Sequence, residues 1–149
     1  MTQPEKNTLE TILVLDDHPV VLKVVCEILE RAGYHVLPAG SGAQAIQVER
    51  ITQGTIHLLL SDVMMPDMSG PVCAELLQKH RPEMRVMLMS GYIGGDMLFL
   101  NQGWHFIEKP FVTYELVARV NEVLQSQERS QGTAHFDTRV KPKTSLAAA

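Results

Sequence analysis

Charged and polar side chains follow four apolar segments of this chain, at the point where each segment ends. Asp62 ends one segment, and Asp16 with Asp17, Ser90 and Lys109 follow the three others. Three carboxylates, a hydroxyl and an ammonium group thus occupy equivalent places. If the segments are strands of one open parallel sheet, these groups meet at its carboxyl edge, where ligands bind and chemistry takes place in such sheets.

Each of these residues has an ordinary explanation when it is taken alone. Asp16 and Asp17 precede a predicted helix, whose free amides and dipole stabilise a carboxylate. Asp62 could form a turn, Ser90 could be a simple strand-end hydroxyl, and Lys109 could be a solvated surface charge. The five residues together are stronger evidence for a functional site than any one of them, because chance rarely places all five at strand ends of one sheet.

The elements that must position these groups alternate between strands and helices. Short apolar runs predict strands at 11–16, 34–37, up to 62, 84–89 and 104–108. Amphipathic segments predict helices at 18–32, from a Ser41 cap to 51, from a Ser69 cap to a stop before Pro82, and after a Thr113 cap. The first helix carries one wide apolar stripe, formed by Val20, Val21, Val24, Val25, Ile28 and Leu29. This alternation predicts an α/β fold with a parallel sheet covered by helices on both faces.

The boundaries of the domain follow from composition. Residues 1–9 are polar and predict a disordered lead, residues 10–127 form the domain, and residues 128–149 predict a disordered tail or linker that ends in residues resembling a cloning remnant. The three glycines Gly91, Gly94 and Gly95 leave room for only a short fourth helix near 96–102. We expect that segment to be mobile or irregular.

Charge and composition exclude several classes of protein. The net charge is −4 and the pI is near 5.8, and the basic residues are scattered, so no nucleic-acid binding is expected. No apolar stretch approaches the roughly 20 residues needed to span a bilayer, so no membrane insertion is expected. Cys26 and Cys73 lie on apolar faces of predicted helices and are expected to be buried free thiols, which suits a cytoplasmic protein.

Four motifs in this order resemble the receiver domain of two-component response regulators. They are Leu15-Asp16-Asp17-His18, Leu60-Ser61-Asp62-Val63-Met64-Met65-Pro66-Asp67-Met68-Ser69-Gly70, Met89-Ser90-Gly91-Tyr92 and Lys109-Pro110-Phe111. The resemblance covers about residues 10 to 126. It implies a flavodoxin-like (βα)5 doubly wound fold, with a five-stranded parallel sheet in the order 2-1-3-4-5.

The resemblance also implies a role for each residue of the set. Asp62 would be the phosphoacceptor, since a carboxylate is a competent nucleophile toward phosphorus. Mg²⁺ would be held by Asp16, Asp17, Asp62 and the backbone carbonyl of Met64, because a hard dication cancels the mutual repulsion of the carboxylates. Lys109 and Ser90 would contact the phosphoryl oxygens. The Lys109-Pro110 peptide bond would be cis.

In the family, phosphorylation is converted into a change of surface. Ser90 would move toward the phosphoryl group and Phe106 would turn into the vacated space, so that the face made by the fourth helix, the fifth strand and the last helix repacks. Phe106 stands where Tyr is commoner, which places this route of coupling in question. Met64 and Tyr92 are apolar and aromatic at positions where relatives have side chains that position water, which predicts a long-lived phosphoryl group.

The partner implied by this family is a histidine kinase or a histidine phosphotransfer domain that docks beside the fifth strand and the first helix. A homodimer through the face that repacks is a further expectation. The Met89–Tyr92 stretch and the short fourth helix favour a receiver that belongs to a hybrid sensor kinase over a stand-alone regulator. In either case the chain is expected to be a signalling switch that catalyses only its own phosphorylation and dephosphorylation.

Two other classes of protein remain as alternatives. A Mg²⁺-dependent phosphatase with an aspartate nucleophile would need a second acid two residues after Asp62, where this chain has Met64. A receiver that serves only as a non-phosphorylated docking module would keep the fold without the chemistry. A nucleotide-binding module is weaker still, because no glycine-rich phosphate loop follows the first strand.

Overall fold

A single parallel sheet lies between two layers of helices. The structure is a computed structural model that describes residues 9–91 and 103–132. The strands are β1 (Thr11–Leu15), β2 (His35–Ala39), β3 (Leu58–Asp62), β4 (Arg85–Ser90) and β5 (His105–Glu108). The helices described are α1 (Pro19–Arg31), α2 (Gly42–Ile51), α3 (Gly70–His80) and α4 (Thr113–Gly132). All strand pairs are parallel and the order is β2-β1-β3-β4-β5, which confirms the predicted fold class.

The sheet is buried on both faces, as its continuous apolar strands predict. Successive residues of a strand point to opposite faces, so Ile12 packs in one core cluster and Leu13 in the other. The first cluster lies under α1 and α4 and includes Leu29 and Leu116. The second lies under α2 and α3 and includes Cys73. This burial holds the carboxyl ends of the central strands in fixed positions.

The predicted caps are confirmed at two of three helices. The Ser41 hydroxyl accepts from the Gln44 amide at 3.0 Å, and the Ser69 hydroxyl accepts from the Val72 amide at 3.2 Å. The prediction for Thr113 is wrong, because α4 begins at Thr113 itself.

The start of α4 has a different cap from the one predicted. The Val112 amide donates to Glu115 Oε1 at 3.3 Å, so the glutamate three residues later satisfies the amide that precedes the helix. A threonine hydroxyl is therefore not needed at this end.

Two element boundaries differ from the prediction. β2 begins and ends later, because its register pairs all of His35–Ala39 with β1 and the edge position tolerates Pro38. α4 continues to Gly132, so residues 128–132 are helical although they belong to the predicted tail. Local helix propensity is sufficient there without an apolar period. Residues 1–8, 133–149 and the predicted fourth helix near 96–102 lie outside the described residues.

The apolar stripe of α1 is only partly covered. Val25 and Leu29 are buried, but Val20 is 73% exposed and Val24 is 47% exposed. The sheet and α4 cover the inner half of the stripe and leave these two valines at the surface. The predicted apolar stripe of α1 is therefore present, but Val20 and Val24 lie on its exposed part.

A polar staple closes the amino-terminal edge of the sheet. The buried Glu49 of α2 accepts from Arg81 Nε at 2.8 Å, and the same guanidinium donates to the carbonyls of Thr52 and Gly54, each at 2.7 Å. Arg81 thereby ties the end of α3 to the segment between α2 and β3. A planar guanidinium suits this site because its fixed fork of donors serves several acceptors at once.

Both cysteines are free, Cys73 fully buried and Cys26 half-buried. Burial raises the pKa of each thiol to about 11, so both remain protonated at neutral pH. None of the helices in the described ranges is both long enough and apolar enough to cross a bilayer.

Candidate functional site

The acidic residues predicted from the strand ends do lie together. Asp62 is the last residue of β3, and Asp16 and Asp17 directly follow β1, its neighbour in the sheet. One ligand atom from each of these carboxylates, with one from His18, lies within 4.8 Å of all the others. Parallel strands in register therefore bring residues 46 positions apart into one cluster.

Asp16 is the most deeply buried member of this cluster. Its side chain is fully buried, and its Oδ1 accepts from the His18 amide at 2.9 Å, which satisfies an amide at the start of α1. Its other oxygen, Oδ2, has no hydrogen-bond partner among the described residues, and neither does Asp17 Oδ1. Buried carboxylate oxygens without partners are costly unless a cation compensates them.

Lys109 supplies one positive charge to the cluster. Its Nζ lies 3.2 Å from Asp62 Oδ1 and 3.6 Å from Asp16 Oδ2. The Lys109 amide donates to the Ser90 carbonyl at 2.8 Å, which fixes the lysine beside the end of β4. The Lys109-Pro110 peptide bond is cis.

The pKa of Asp62 is raised from its ordinary value of 3.8. Burial is the largest cause, and the nearby Asp16 carboxylate acts in the same direction. The Lys109 ammonium and a hydrogen bond from the Val63 amide at 3.0 Å oppose this effect. Asp62 is thus a partly desolvated carboxylate held beside an ammonium group, which is an environment that favours reactivity.

Three further predicted residues lie on β4, on β5 and in the loop after β3. Ser90 is buried at the end of β4, two strands from β1, and its register partner on β5 is Glu108. Phe106 is half-buried against the core cluster under α2 and α3. Met64 directs its side chain to solvent, with 76% exposed. Met64 therefore does not bury Asp62, and the predicted long phosphoryl lifetime rests on Tyr92, which lies outside the described residues.

The loop after β3 is fixed by contacts that the sequence did not reveal. The Asp67 carboxylate accepts from the amides of Gly42 and Ala43 at 3.2 and 3.0 Å, and these bonds lower its pKa. Asp67 therefore caps α2 from a distant part of the chain and anchors the loop that carries Met64. No local signal indicates this contact, since the partners are 24 and 25 residues apart.

Gly70 makes the tightest approach in the site. A Cβ at this position would lie 2.1 Å from the Asp62 carbonyl oxygen and 3.0 Å from Ser61 Oγ. The Gly70 amide donates to the Val63 carbonyl at 2.8 Å. Only glycine allows α3 to begin this close to the end of β3, and this close start sets the position of Asp62.

The donor set fits a hard divalent cation. Asp16, Asp17 and Asp62 converge, and within the described part of the chain two buried oxygens of Asp16 and Asp17 have no hydrogen-bond partner. Carboxylate and carbonyl oxygens are the ligands that Mg²⁺ takes in proteins. Among the described residues three carboxylates face the single ammonium of Lys109, so the site has an excess of negative charge that a dication would balance.

A doubly wound α/β domain with an acidic cluster, a lysine and a hydroxyl at the carboxyl edge defines a class of phosphoacceptor signalling domains. The family model of the response regulator receiver domain matches residues 12–121. The chain belongs to this family and is a receiver domain of two-component systems, a class of signalling switches with an acidic Mg²⁺ site.

Individual relatives agree with this assignment. The sensor kinase CckA of Brucella abortus is 31% identical over 79% of this chain, which spans 13% of that protein. The response regulator receiver protein CpdR of the same organism is 29% identical over 78% of this chain and spans 98% of that protein. A CheY-like receiver domain from Methanospirillum hungatei has a TM-score of 0.75 at 30% identity and covers 83% of this chain and 99% of its own.

Proposed function

We propose that this receiver takes a phosphoryl group from a phosphohistidine partner onto Asp62. The observation that carries the proposal is the convergence of Asp62, Lys109 and the Asp16–Asp17 pair at one edge of the sheet. Of the two carboxylates paired with Lys109, Asp62 is the nearer, at 3.2 Å against 3.6 Å, and unlike Asp16 its side chain is not fully buried. An Asp62 oxygen would attack phosphorus, the bond from phosphorus to the imidazole nitrogen would break, and its electron pair would stay on that nitrogen.

The remaining residues hold and compensate charge during this transfer. Asp16, Asp17, Asp62 and the Met64 carbonyl would hold Mg²⁺, which when bound supplies charge compensation on the phosphoryl oxygens. Lys109, already 3.2 Å from Asp62 Oδ1, would move its ammonium to a phosphoryl oxygen after transfer.

The switch is the second part of the proposal. Ser90 would donate to a phosphoryl oxygen, and its shift toward Asp62 would open the space into which Phe106 turns. Phe106 is only half-buried, and its carbonyl accepts from Arg119 Nε of α4 at 3.2 Å. This bond ties the β5 backbone at Phe106 to α4, so a backbone shift of β5 that accompanied ring rotation would be transmitted to α4.

The histidine partner would dock on an apolar surface beside the site. Val20 and Val24 are exposed on α1, and Val112 and Tyr114 are exposed at 62% and 80% where α4 begins. Val24 and Thr113 line one cavity of about 260 Å³, so α1 and the start of α4 adjoin at this surface. Helical partners bury such apolar faces. The domain would also form a homodimer through β5 and α4. It would act in the cytoplasm, where free thiols persist.

Intact mass spectrometry tests the phosphorylation step. The chain is incubated with acetyl phosphate and Mg²⁺, and one added phosphoryl group is expected. The group should be absent with EDTA and absent in Asp62→Asn. The matched control is Glu75→Gln, which makes the same chemical change on an exposed face of α3 and should be phosphorylated like the wild type.

Two results would contradict the proposal. One is a phosphoryl group that persists in Asp62→Asn on a residue of the acidic cluster, which would assign the nucleophile wrongly. The other is a wild-type chain that stays unmodified while a known receiver is phosphorylated in the same mixture. The second result would favour a docking module without phosphorylation.

A further inference from the structure

His18 faces the acidic cluster, although the family role of the site does not use it. It is the residue before α1, and its side chain makes no capping hydrogen bond. Its Nδ1 lies 3.4 Å from Asp16 Oδ1 and 3.7 Å from Asp17 Oδ1, while 67% of the side chain is exposed. The imidazole thus approaches the carboxylates from the solvent side.

These separations suit ligands that share one small metal ion. Two ligand atoms each about 2.1 Å from a tetrahedral Zn²⁺ ion lie about 3.4 Å apart. The distances from His18 Nδ1 to the two carboxylates are close to this value. One ligand atom of Asp62 also lies within 4.8 Å of the imidazole nitrogen and of both other acids.

A second observation indicates that the cluster is built for a cation. Asp16 is fully buried, and its Oδ2 has no hydrogen-bond partner among the residues described. The ammonium of Lys109 is 3.6 Å from this oxygen. Asp17 Oδ1, which lies 3.7 Å from His18 Nδ1, is also buried without a hydrogen-bond partner among these residues, so a metal ion between the imidazole and the acids would compensate it.

We propose that His18 is a nitrogen ligand that lets this site bind Zn²⁺ in competition with Mg²⁺. This proposal rests on the metal site of the proposed function. Mg²⁺ takes oxygen ligands and keeps its waters, so it gains little from an imidazole. Zn²⁺ binds imidazole and carboxylate together and exceeds Mg²⁺ in affinity for such mixed donors. Zn²⁺ at this position would also engage Asp62 and slow its phosphorylation.

Isothermal titration calorimetry on chelator-treated protein measures the binding of Zn²⁺ and of Mg²⁺ separately. In His18→Asn the affinity for Zn²⁺ should fall about tenfold or more, and the affinity for Mg²⁺ should stay as in the wild type. Asparagine is a good residue at a helix start, so the variant should fold normally. Histidine ¹⁵N NMR should show the Zn²⁺-induced shift at Nδ1 of His18.

The matched control is His80→Asn. His80 is also exposed, at 63%, and its Nδ1 lies 3.5 Å from a carboxylate oxygen of Glu49. That carboxylate already pairs with Arg81, and among the described residues Glu49 belongs to no group of three or more potential metal ligands. His80→Asn should therefore leave Zn²⁺ binding unchanged.

The outcomes separate this proposal from the one on which it rests. Equal Zn²⁺ affinity in wild type and His18→Asn, or an equal loss of Zn²⁺ and Mg²⁺ affinity, would overturn the role of His18. Either result would leave the Mg²⁺ site and Asp62 phosphorylation intact. Absence of Mg²⁺ binding together with absence of phosphorylation would instead overturn the proposed function.

Discussion

Replacement of Gly70 by alanine tests how tightly the fold positions Asp62. The new Cβ would lie 2.1 Å from the Asp62 carbonyl oxygen, whereas ordinary contact begins at 3.4 Å. The start of α3 and the end of β3 must separate by about 1.3 Å, the difference between these distances. The opposing atom belongs to the backbone of a central strand, so no side-chain rotation relieves the contact.

This steric conflict should lower both the free energy of unfolding and the rate of phosphorylation. Overpacking of a closely packed core costs about 1–3 kcal/mol, and the rigid partner places Gly70→Ala at about 3 kcal/mol. Misplacement of a reacting group by about 1 Å lowers rates by about 100-fold. The free energy of unfolding is measured by urea denaturation, and the phosphorylation rate by intact mass with acetyl phosphate under Mg²⁺.

Two other glycines supply controls. A Cβ on Gly54 would meet no atom within 4 Å, so Gly54→Ala should change neither quantity for the worse. A Cβ on Gly42 would approach only the flexible side chain of Met68, so Gly42→Ala should cost less than Gly70→Ala. If Gly70→Ala were as stable and as reactive as Gly54→Ala, the close approach would not position Asp62. If Gly70→Ala were less stable but were phosphorylated at the wild-type rate, only the claim that Gly70 positions Asp62 would be refuted.

Further predictions concern charge and the metal. Arg81→Ala should lower the free energy of unfolding by about 3 kcal/mol, because the buried Glu49 carboxylate loses its guanidinium partner, and Arg81→Lys should recover only part of the loss. The pKa of Asp62 is raised, so its ionised form opposes folding. Without metal, Asp62→Asn should therefore be more stable than the wild type at pH 7 in urea titrations. This difference in stability should vanish as pH falls below about 3.8. The lowered pKa of Asp67 has the opposite sign, so Asp67→Asn should be less stable than wild type at pH 7, and this deficit should narrow as pH falls below 3.8. Addition of Mg²⁺ should raise the melting temperature of the wild type in calorimetry more than that of Asp62→Asn, and an equal rise in both would contradict the assigned ligands.

The sequence predicted the fold and the acidic cluster because both depend on where strands end. Apolar runs that stop at Asp16, Asp62 and Lys109 need only a parallel sheet to bring these residues together. The serine caps of α2 and α3 were also predictable, since a cap and its amide are three residues apart.

The parts that could not be predicted depend on contacts between distant segments. Asp67 caps a helix that begins 25 residues before it, and Arg81 serves carbonyls 27 and 29 residues away. The exposure of Val20 does not follow from the sequence, because a helical period gives the width of an apolar stripe and not how much of it a neighbouring element covers. The sequence shows His18 only as part of a motif, because its proximity to two carboxylates depends on how β1 and α1 meet in the fold.

The staple around Arg81 has a consequence for how this protein can vary. It lies at the amino-terminal edge of the sheet, and the reactive carboxylates lie at the opposite edge. The stability of the fold can therefore be changed at the amino-terminal edge without changing the reactivity of the carboxylates at the opposite edge. A protein engineer could strengthen or loosen the scaffold there without retuning the signal that the domain transmits.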